Sequence, residues 1–294
     1  MRCLMIWLSM LSTTTFAQPS GDILINKVKG LFAGQQGVFA MAFQDVQTGE
    51  TLLINDHEVF HAASTMKMPV MVELFRQQEQ KIFSLRDSIT IRNVFKSIVD
   101  SSEYSLDSTD DSQHDLYRRI GERESLYALL YQMIIKSSNL ATNMLIEVVG
   151  PANVMRTMRA LGAKDIQVLR GVEDNKAYEK GWNNTTTAYD LMLLYNLMAK
   201  GRIVSKEACD EMIKILLDQQ FNEIIPARLP AGVRVAHKTG SISGLRHDSG
   251  IVFLPDGRKY VLVLLSKELK DVPASVKMMA EVSEMVYGYM VSRK

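Results

Sequence analysis

Strand-like patterns lie near both ends of this 294-residue chain, and a long run of helical patterns separates them. Near the N-terminus, apolar residues alternate over residues 37–46, and a polar turn at 47–50 leads into a returning strand at 51–55. Near the C-terminus, three strand-like segments follow one another, and a Pro-Asp-Gly-Arg hairpin turn joins the last two: residues 233–238, 249–254 and 259–266. A chain with this order can combine its two ends in one sheet.

Periodic apolar residues predict helices beside these strands and throughout the middle of the chain. They cover residues 21–33, 125–136, 140–149, 151–161, 187–200, 205–217 and 271–292, and a further helix begins near Ser64. The economical packing is an α/β fold of the sandwich type, in which one antiparallel sheet from both chain ends is flanked by helices and an all-helical lobe is inserted. A cleft then lies between the lobes, where we expect a functional site.

The composition is that of a soluble globular protein, with 47% hydrophobic and 23% charged residues. The length allows one large core or two subdomains. The net charge of +1 gives no reason to expect nucleic acid as a partner. The five histidines show no ligand spacing and no phosphate-binding glycine loop is present, so we expect neither a metal nor a cofactor.

Residues 1–17 have the features of a signal peptide. Arg2 provides the positive start, residues 3–11 are apolar, and Ala17 offers a small residue for cleavage. The alternative is an uncleaved N-terminal anchor, although the apolar run is too short to span a bilayer as a helix. We therefore expect a periplasmic or secreted protein without a stable membrane anchor. Cys209 is then the only cysteine, which excludes a disulfide framework.

Residues 100–122 are polar and rich in Asp and Ser, and we expect mostly loop there. The segment carries an acidic cluster that includes one histidine: Asp107, Asp110, Asp111, His114 and Asp115. A metal site is one interpretation, but the spacing fits no EF-hand loop. The spacing favours a solvated acidic insert.

A Ser-x-x-Lys motif, from Ser64 to Lys67, stands where an apolar helical pattern begins. Residues i and i+3 of a helix share a face, so the hydroxyl and the amine can form a nucleophile–base pair if burial lowers the lysine pKa. The motif is weak by itself, because most such pairs lie on a solvated helix surface.

Two further motifs follow it in the chain. A Ser-Ser-Asn tripeptide at 137–139 joins two helical patterns; taken alone, such a serine is usually a helix cap. A Lys-Thr-Gly tripeptide at 238–240 ends a predicted strand and precedes a glycine turn, which is ordinary strand-end chemistry. The occurrence of all three motifs in this order is much more informative than any one of them.

In this order the motifs resemble those of the class A β-lactamase and penicillin-binding-protein superfamily of serine hydrolases. The resemblance extends over residues 21–293, because the order of strands and helices agrees as well. It implies a single catalytic domain at 18–294, with a sheet lobe at about 21–65 and 225–294 and a helical lobe at about 66–224. It also implies a monomer that acts on a small β-lactam or acyl-peptide substrate.

The resemblance implies catalytic roles for the motif residues. Ser64 is expected to attack the acyl carbonyl, with Lys67 as its base or proton relay. Ser137 is expected to pass the proton to the leaving nitrogen, and Lys238 to hold the network electrostatically. Backbone N–H groups of Ser64 and Ser241 are expected to form the oxyanion hole.

Substrate-binding roles are implied in the same way. Asn139 is expected to position the amide side chain of the substrate. Thr239 and Ser241, with Gly240 between them, are expected to bind the substrate carboxylate. Arg246 stands close to where the family often has a carboxylate-binding arginine, and the alternative is an arginine on a surface loop.

Three aromatic side chains near the motifs have two interpretations each. Tyr104 either forms a wall of the cleft or packs locally within its loop. His61 and His237 neighbour motif residues, and they either line the cleft or pack in the core.

The expected deacylation loop departs from the family pattern. Class A enzymes have an Arg-x-Glu-Pro sequence there, with Asn four residues after the Glu. In this chain Glu173 comes three residues after Arg170, no proline follows, and Ala177 stands four residues beyond. Glu173 is the candidate base for the deacylating water and Asp174 the second, and the alternative is a structural partner of Arg170. The second motif also has Ser138 where the class usually has Asp.

Three functional hypotheses remain. The first is an exported class A-type β-lactamase that hydrolyses the lactam amide through a Ser64 acyl-enzyme. The second is a related D-alanyl-peptidase or esterase that β-lactams acylate but that releases them slowly, and the altered loop favours it. The third is a non-catalytic penicilloyl-binding sensor domain; such domains are usually fused to a membrane segment, and the sequence after residue 17 contains no long apolar segment.

Overall fold

The computed structural model describes residues 21–293, so the expected signal peptide lies outside the described residues. The α-helices of this part of the chain are α1 (Gly21–Ala33), α2 (Lys67–Glu79), α3 (Leu126–Ile135), α4 (Asn139–Val149), α5 (Pro151–Ala160), α6 (Asn175–Glu179), α7 (Ala188–Ala199), α8 (Lys206–Leu217) and α9 (Val272–Ser292). The strands are β1 (Val38–Asp45), β2 (Thr51–Ile54), β3 (Phe60–His61), β4 (Ser88–Thr90), β5 (Phe95–Lys96), β6 (Glu103–Tyr104), β7 (Arg123–Ser125), β8 (Thr185–Thr186), β9 (Arg234–Ile242), β10 (Leu245–Phe253) and β11 (Lys259–Lys267). Short 3₁₀ turns cover Ala63–Met66 and His114–Arg119.

One five-stranded antiparallel sheet combines the two ends of the chain. Its strand order is β2-β1-β11-β10-β9, so the N-terminal strand β1 pairs with the last strand, β11. The register of that pair runs from Val38 opposite Lys267 to Asp45 opposite Tyr260. The α/β fold predicted from the separated strand patterns is therefore confirmed.

The sheet lies between two apolar cores, because side chains alternate across it. On β1, Phe39, Met41 and Phe43 belong to the core that α1 and α9 cover. Ala40 and Ala42 face the larger core that the sheet shares with the helical lobe. The small alanines leave room for α7, which packs on this face of the sheet.

Helix α2 lies at the centre of the helical lobe and contacts α3, α4 and α5. Its polar residues Lys67, Glu73 and Gln77 are buried together with its apolar ones. A buried charge is costly unless it is hydrogen-bonded, so a lysine at the first position of this helix needs partners from neighbouring segments. Those partners form the site described below.

Two strands at the cleft are longer than the sequence predicts. β9 was expected to end at Lys238, but it continues through the Lys-Thr-Gly tripeptide to Ile242. β10 begins at Leu245, so Arg246 lies on a strand opposite Ser241 and not on a surface loop. Small polar residues have a weak strand signal, and pairing with β10 overrides it.

The polar insert at 100–122 contains short regular elements, namely β6 and the 3₁₀ turn His114–Arg119. The short helix α6 was not predicted; Asp174 caps it by accepting a hydrogen bond from the Ala177 amide at 3.2 Å. Between residues 21 and 293, none of the helices has the length and apolar character needed to cross a bilayer.

Candidate active site

The nucleophile candidate Ser64 lies in the 3₁₀ turn that leads into α2. The residue before it, Ala63, has a φ of +44°, and its amide donates a hydrogen bond to His61 Nδ1 at 3.1 Å. Thr65 Oγ1 donates to the Ala62 carbonyl at 2.6 Å. This turn holds Ser64 half-buried at the mouth of the cleft.

Lys67 is fully buried one helical turn beyond Ser64, and its amine has three hydrogen-bond partners. Nζ lies 2.6 Å from the Ser137 carbonyl oxygen, 3.2 Å from Ser137 Oγ and 2.9 Å from Asn139 Oδ1. Burial lowers the pKa of Lys67 to about 7, and the carboxylates of Asp111 and Glu173 oppose that effect. With a pKa near neutrality, part of Lys67 is a neutral amine whose lone pair can accept a proton.

The Ser137 hydroxyl lies between two buried lysines. Lys238 Nζ is 3.1 Å from Ser137 Oγ, the same hydroxyl that Lys67 contacts. Lys238 Nζ also donates to the Thr239 carbonyl oxygen at 3.0 Å. Burial and the charge of Lys67 both lower the pKa of Lys238 well below its usual value. A hydroxyl can accept from one amine while it donates to the lone pair of the other, so Ser137 can move a proton through the site.

The Asn139 side chain joins the lysine to a carboxylate. Its Oδ1 accepts from Lys67, and its Nδ2 donates to Glu173 Oε1 at 2.8 Å. Glu173 is half-buried, and this burial raises its pKa, while the hydrogen bond from Asn139 opposes the rise. The carboxylate is thus a stronger base than a solvated glutamate and remains hydrogen-bonded.

The loop that carries Glu173 is held by Asn143 of α4. Asn143 Oδ1 accepts from the Val172 amide at 2.6 Å, and Nδ2 donates to the Val172 carbonyl oxygen at 3.0 Å. Gly171 lies against the same side chain, since a Cβ there would be 2.4 Å from Asn143 Oδ1. Glu173 itself has a φ of +61°, a left-handed conformation that this two-point attachment maintains.

Arg170 was the alternative structural partner of Glu173, and Asp174 was the second candidate base; both have other contacts. The Arg170 guanidinium donates to the carbonyl oxygens of Trp182 and Gly171 and to Asn183 Oδ1, and none of these bonds involves Glu173. Asp174 is buried, where its carboxylate accepts from Ser97 Oγ and the Ile98 amide, each at 2.9 Å. Asp174 therefore ties the loop to a neighbouring segment, and Glu173 is the carboxylate that Asn139 connects to Lys67.

The edge of β9 forms the opposite wall of the cleft, with Thr239 and Ser241 on it. Gly240 packs against the nucleophile turn, because a Cβ there would be 3.2 Å from Thr65 Cγ2 and 3.3 Å from the Ala62 oxygen. The Arg246 guanidinium donates to the carbonyl oxygens of Ile242 and Leu245 at 2.8 and 2.7 Å. It lines the cleft in this position and brings a positive charge to it.

Ser64 stands where two cavities meet. One, of about 380 Å³, lies between β9 and the segment 221–224, and its lining includes Ser137, Thr239 and Arg246. The other, of about 580 Å³, lies beneath the 170–175 loop, and its lining includes Glu173. An acyl group on Ser64 can thus extend beneath one wall while a carboxylate faces the positive charge of the other.

The remaining cleft candidates differ in location. His61 lines the larger cavity, whereas His237 is buried between Asp248 Oδ1 at 2.8 Å and Asn222 Oδ1 at 3.1 Å. The Tyr104 hydroxyl is 3.3 Å from the Val172 carbonyl oxygen, so it supports the loop from behind. His237 therefore lies in the core, and Tyr104 contacts the loop that carries Glu173 and does not pack only within its own loop.

Sequence reasoning missed the contribution of the acidic insert. Asp110 lines both cavities, and Asp111 is buried beside the Ser-Ser-Asn turn, although the whole cluster was interpreted as solvated. Asp111 and Asn139 are 28 positions apart along the chain, a separation that gives no periodic signal, and only the folded chain brings them together. Within residues 21–293, no group of three or more His, Cys, Asp or Glu side chains is arranged to hold a metal ion.

Known proteins were compared with the chain and its fold. The model of the family described as the beta-lactamase enzyme family matches residues 23–290. Beta-lactamase VEB-1 of Pseudomonas aeruginosa is 22% identical in an alignment that covers 99% of this chain and 98% of the relative. The beta-lactamase structure from Sphaerobacter thermophilus DSM 20745 has a TM-score of 0.77 and 26% identity, and it covers 90% of this chain and 97% of its own. The structure of PBP-A is equally similar, with a TM-score of 0.78, 26% identity and coverages of 91% and 96%.

The family match spans nearly all of the described chain, and the similar structures share its sheet and its helical lobe. The three motifs that suggested the superfamily meet in one cleft, as described above. This chain belongs to the beta-lactamase enzyme family, within the superfamily of class A β-lactamases and penicillin-binding proteins.

Proposed function

We propose that this protein is an exported serine β-lactamase, which hydrolyses the β-lactam amide through an acyl-enzyme on Ser64. The observation that carries the proposal is one hydrogen-bonded chain of side chains, which runs from Lys238 through Ser137, Lys67 and Asn139 to Glu173. It offers a base for each half of the reaction. A site that only binds penicillin has no use for the second base.

In the first half of the reaction, neutral Lys67 takes the Ser64 proton as Oγ attacks the lactam carbonyl carbon. The oxygen that becomes negative is stabilised by the backbone N–H groups of Ser64 and Ser241. The C–N bond then breaks, and Ser137 donates a proton to the leaving nitrogen and regains one from Lys67. Thr239 and Ser241 on β9 hold the substrate carboxylate, and the positive charges of Lys238 and Arg246 attract it.

In the second half, Glu173 takes a proton from a water molecule that attacks the ester carbonyl carbon. The ester C–O bond breaks, the proton returns to Ser64 Oγ, and the opened lactam leaves as an acid. Asn139 keeps the Glu173 carboxylate oriented through its Nδ2 hydrogen bond. The raised pKa of Glu173 favours this proton transfer, because a stronger base accepts the water proton more readily.

The proposal is tested with a chromogenic cephalosporin and the chain that begins at Gln18. We expect steady turnover by the wild type, none by Ser64→Ala, and a transient covalent mass increase on Ser64. A single burst of one equivalent followed by no further product would instead support a slowly released acyl-enzyme. Absence of any covalent labelling would contradict both and favour a protein without this chemistry.

That slow-release alternative, a D-alanyl-peptidase or esterase type of hydrolase, is favoured by one specific feature. Glu173 stands in a loop without the family's Arg-x-Glu-Pro spacing and has a left-handed backbone. The comparable similarity to PBP-A and to a beta-lactamase does not separate the two. The burst experiment above does.

Export is proposed from residues 1–17 alone. Expression of the full chain in a Gram-negative host, followed by N-terminal sequencing of the periplasmic fraction, tests it. We expect the mature protein to begin at Gln18, and retention of Met1 on a cytoplasmic protein would contradict export.

A further inference from the structure

One acidic residue of the polar insert lies inside the protein, next to the second motif. Asp111 is only 2% exposed, whereas Asp107, Asp110 and Asp115 of the same segment are exposed. A buried carboxylate destabilises the fold unless hydrogen-bond donors surround it. The contacts of Asp111 therefore indicate what the chain gains from its burial.

Four donors surround the Asp111 carboxylate. Oδ2 accepts from the backbone amides of Asn139 and Leu140, each at 2.9 Å, and from the Tyr117 hydroxyl at 3.0 Å. Oδ1 accepts from the Gln113 amide at 3.0 Å. The first two amides begin α4, where helical N–H groups have no partner within the helix and favour a negative charge.

The motif itself contributes no carboxylate at this point. Ser138, its middle residue, is buried and neutral, and its Oγ accepts from the Ala141 amide at 3.3 Å as a helix cap. Two of the open amides of α4 are thus left to Asp111, which reaches them from a different segment of the chain. The turn is bound on its other side by Lys67, whose Nζ contacts the Ser137 carbonyl oxygen.

The charge of Asp111 acts on the two bases of the proposed reaction. It raises the pKa of Lys67, where it opposes the larger effect of burial. It also raises the pKa of Glu173, where it adds to the larger effect of burial. Three other charges act around these bases: Glu173 itself raises the pKa of Lys67, Asp110 raises that of Glu173, and the charges of Lys67 and Lys238 repel each other. Asp111 is the carboxylate common to both.

We infer that Asp111 is a positioning residue, which fixes the Ser137–Asn139 turn and supplies its buried negative charge from the insert, in place of a carboxylate within the motif. The inference rests on the proposed function, because Lys67, Ser137 and Asn139 act in that reaction. It assigns to one residue of the polar insert a positioning role that the polar sequence around it conceals.

The test separates the charge of Asp111 from its geometry. Asp111→Asn keeps a carbonyl oxygen for the two amides and removes the charge. The acylation rate of Ser64 is measured against pH by stopped-flow with a chromogenic cephalosporin. We expect the acidic limb of the profile to move about one pH unit lower, the lower end of the effect of a nearby opposite charge, because Lys67, the base of acylation, loses a charge that raises its pKa.

Asp111→Glu keeps the charge and displaces the oxygens, so the acidic limb should stay in place while the plateau rate falls about 10²-fold, as for a 1 Å misplacement. This variant decides the question if Asp111→Asn does not fold. Asp115→Asn is the matched control, since it removes an exposed carboxylate from the same segment. It should match the wild type in rate and profile.

Three outcomes are distinguishable. A wild type whose Ser64 is never acylated refutes the proposed function. A wild type that turns over, with variants of Asp111 that lose thermal stability but keep its profile and plateau rate, refutes the positioning role alone. An acidic limb that moves in Asp111→Asn and not in Asp111→Glu supports the inference.

Discussion

Replacement of Glu173 by Gln is the sharpest test of how the acyl group leaves Ser64. Gln keeps an Oε1 that can accept the hydrogen bond from Asn139 Nδ2, now 2.8 Å long, so the Asn139–Lys67 contact should survive. Only the basic oxygen is lost. Acylation, which depends on Lys67 and Ser137, should remain within about threefold of the wild type, while deacylation loses its base.

The size of the effect follows from that separation. A positioned general base contributes about 10²–10⁴ to a rate, so the deacylation barrier should rise by about 3–5 kcal/mol. Deacylation then limits turnover, and kcat falls to the reduced deacylation rate. KM should fall in parallel because the acyl-enzyme accumulates, so kcat/KM should change little.

The assay is a stopped-flow burst with a chromogenic cephalosporin, together with mass spectrometry of the quenched protein. We expect one equivalent of product in the burst and nearly complete labelling of Ser64 in Glu173→Gln. Glu179→Gln is the control, because Glu179 lies on α6 just after the loop, is exposed, and undergoes the same chemical change.

Two results would refute the reasoning. Normal turnover by Glu173→Gln would show that another group activates the water. An equal loss of acylation and deacylation would show that the carboxylate serves mainly to hold Asn139 and Lys67 in place.

Other consequences concern the loop, the base and the cleft charge. Gly171→Ala should displace the Asn143 side chain, because the added Cβ would lie 2.4 Å from Oδ1; deacylation measured by burst kinetics should slow at least tenfold more than acylation. Acylation should fall about tenfold per pH unit well below pH 7, because the pKa of Lys67 is about 7 and its ammonium cannot accept the Ser64 proton; a flat profile down to pH 5 would contradict this. Arg246→Ala should raise KM for a carboxylate-bearing substrate about tenfold with little change in kcat, and an unchanged KM would remove the arginine from substrate binding.

The sequence predicts the framework of this protein well because its signals are strong and local. The separated strand patterns predict the antiparallel sheet made from both chain ends, and the ranges of α1, α4 and α5 agree with the apolar periodicity within one residue. The strand that carries the third motif was predicted too short. Thr239 and Ser241 face the cleft, and Gly240 faces the nucleophile turn, so all three residues are small or polar. In the sequence alone, small polar residues of this kind look the same as the end of a strand.

The details of the site depend on contacts between distant segments. The Asn139–Glu173 hydrogen bond requires the loop to be held by Asn143, and neither spacing nor periodicity encodes that attachment. Asp111 shows the same limit in a different way, because an acidic, serine-rich segment normally indicates solvent. Its burial follows from two unpaired amides at the start of α4, which become visible only once the helix and the insert meet.

The pairing of β1 with β11 also determines when this protein can fold. The two strands come from opposite ends of the chain, so the sheet cannot close until the last strand has been synthesised. Contacts this distant make folding slow, because the chain must close a very long loop first. The helical lobe has mostly local contacts and can form earlier, but the hairpin of β1 and β2 is only marginally stable by itself. A chain cut before Lys259 would therefore leave β1 as an open edge, exposed to aggregation and to proteases, and activity should appear only after the C-terminal strands have joined the sheet.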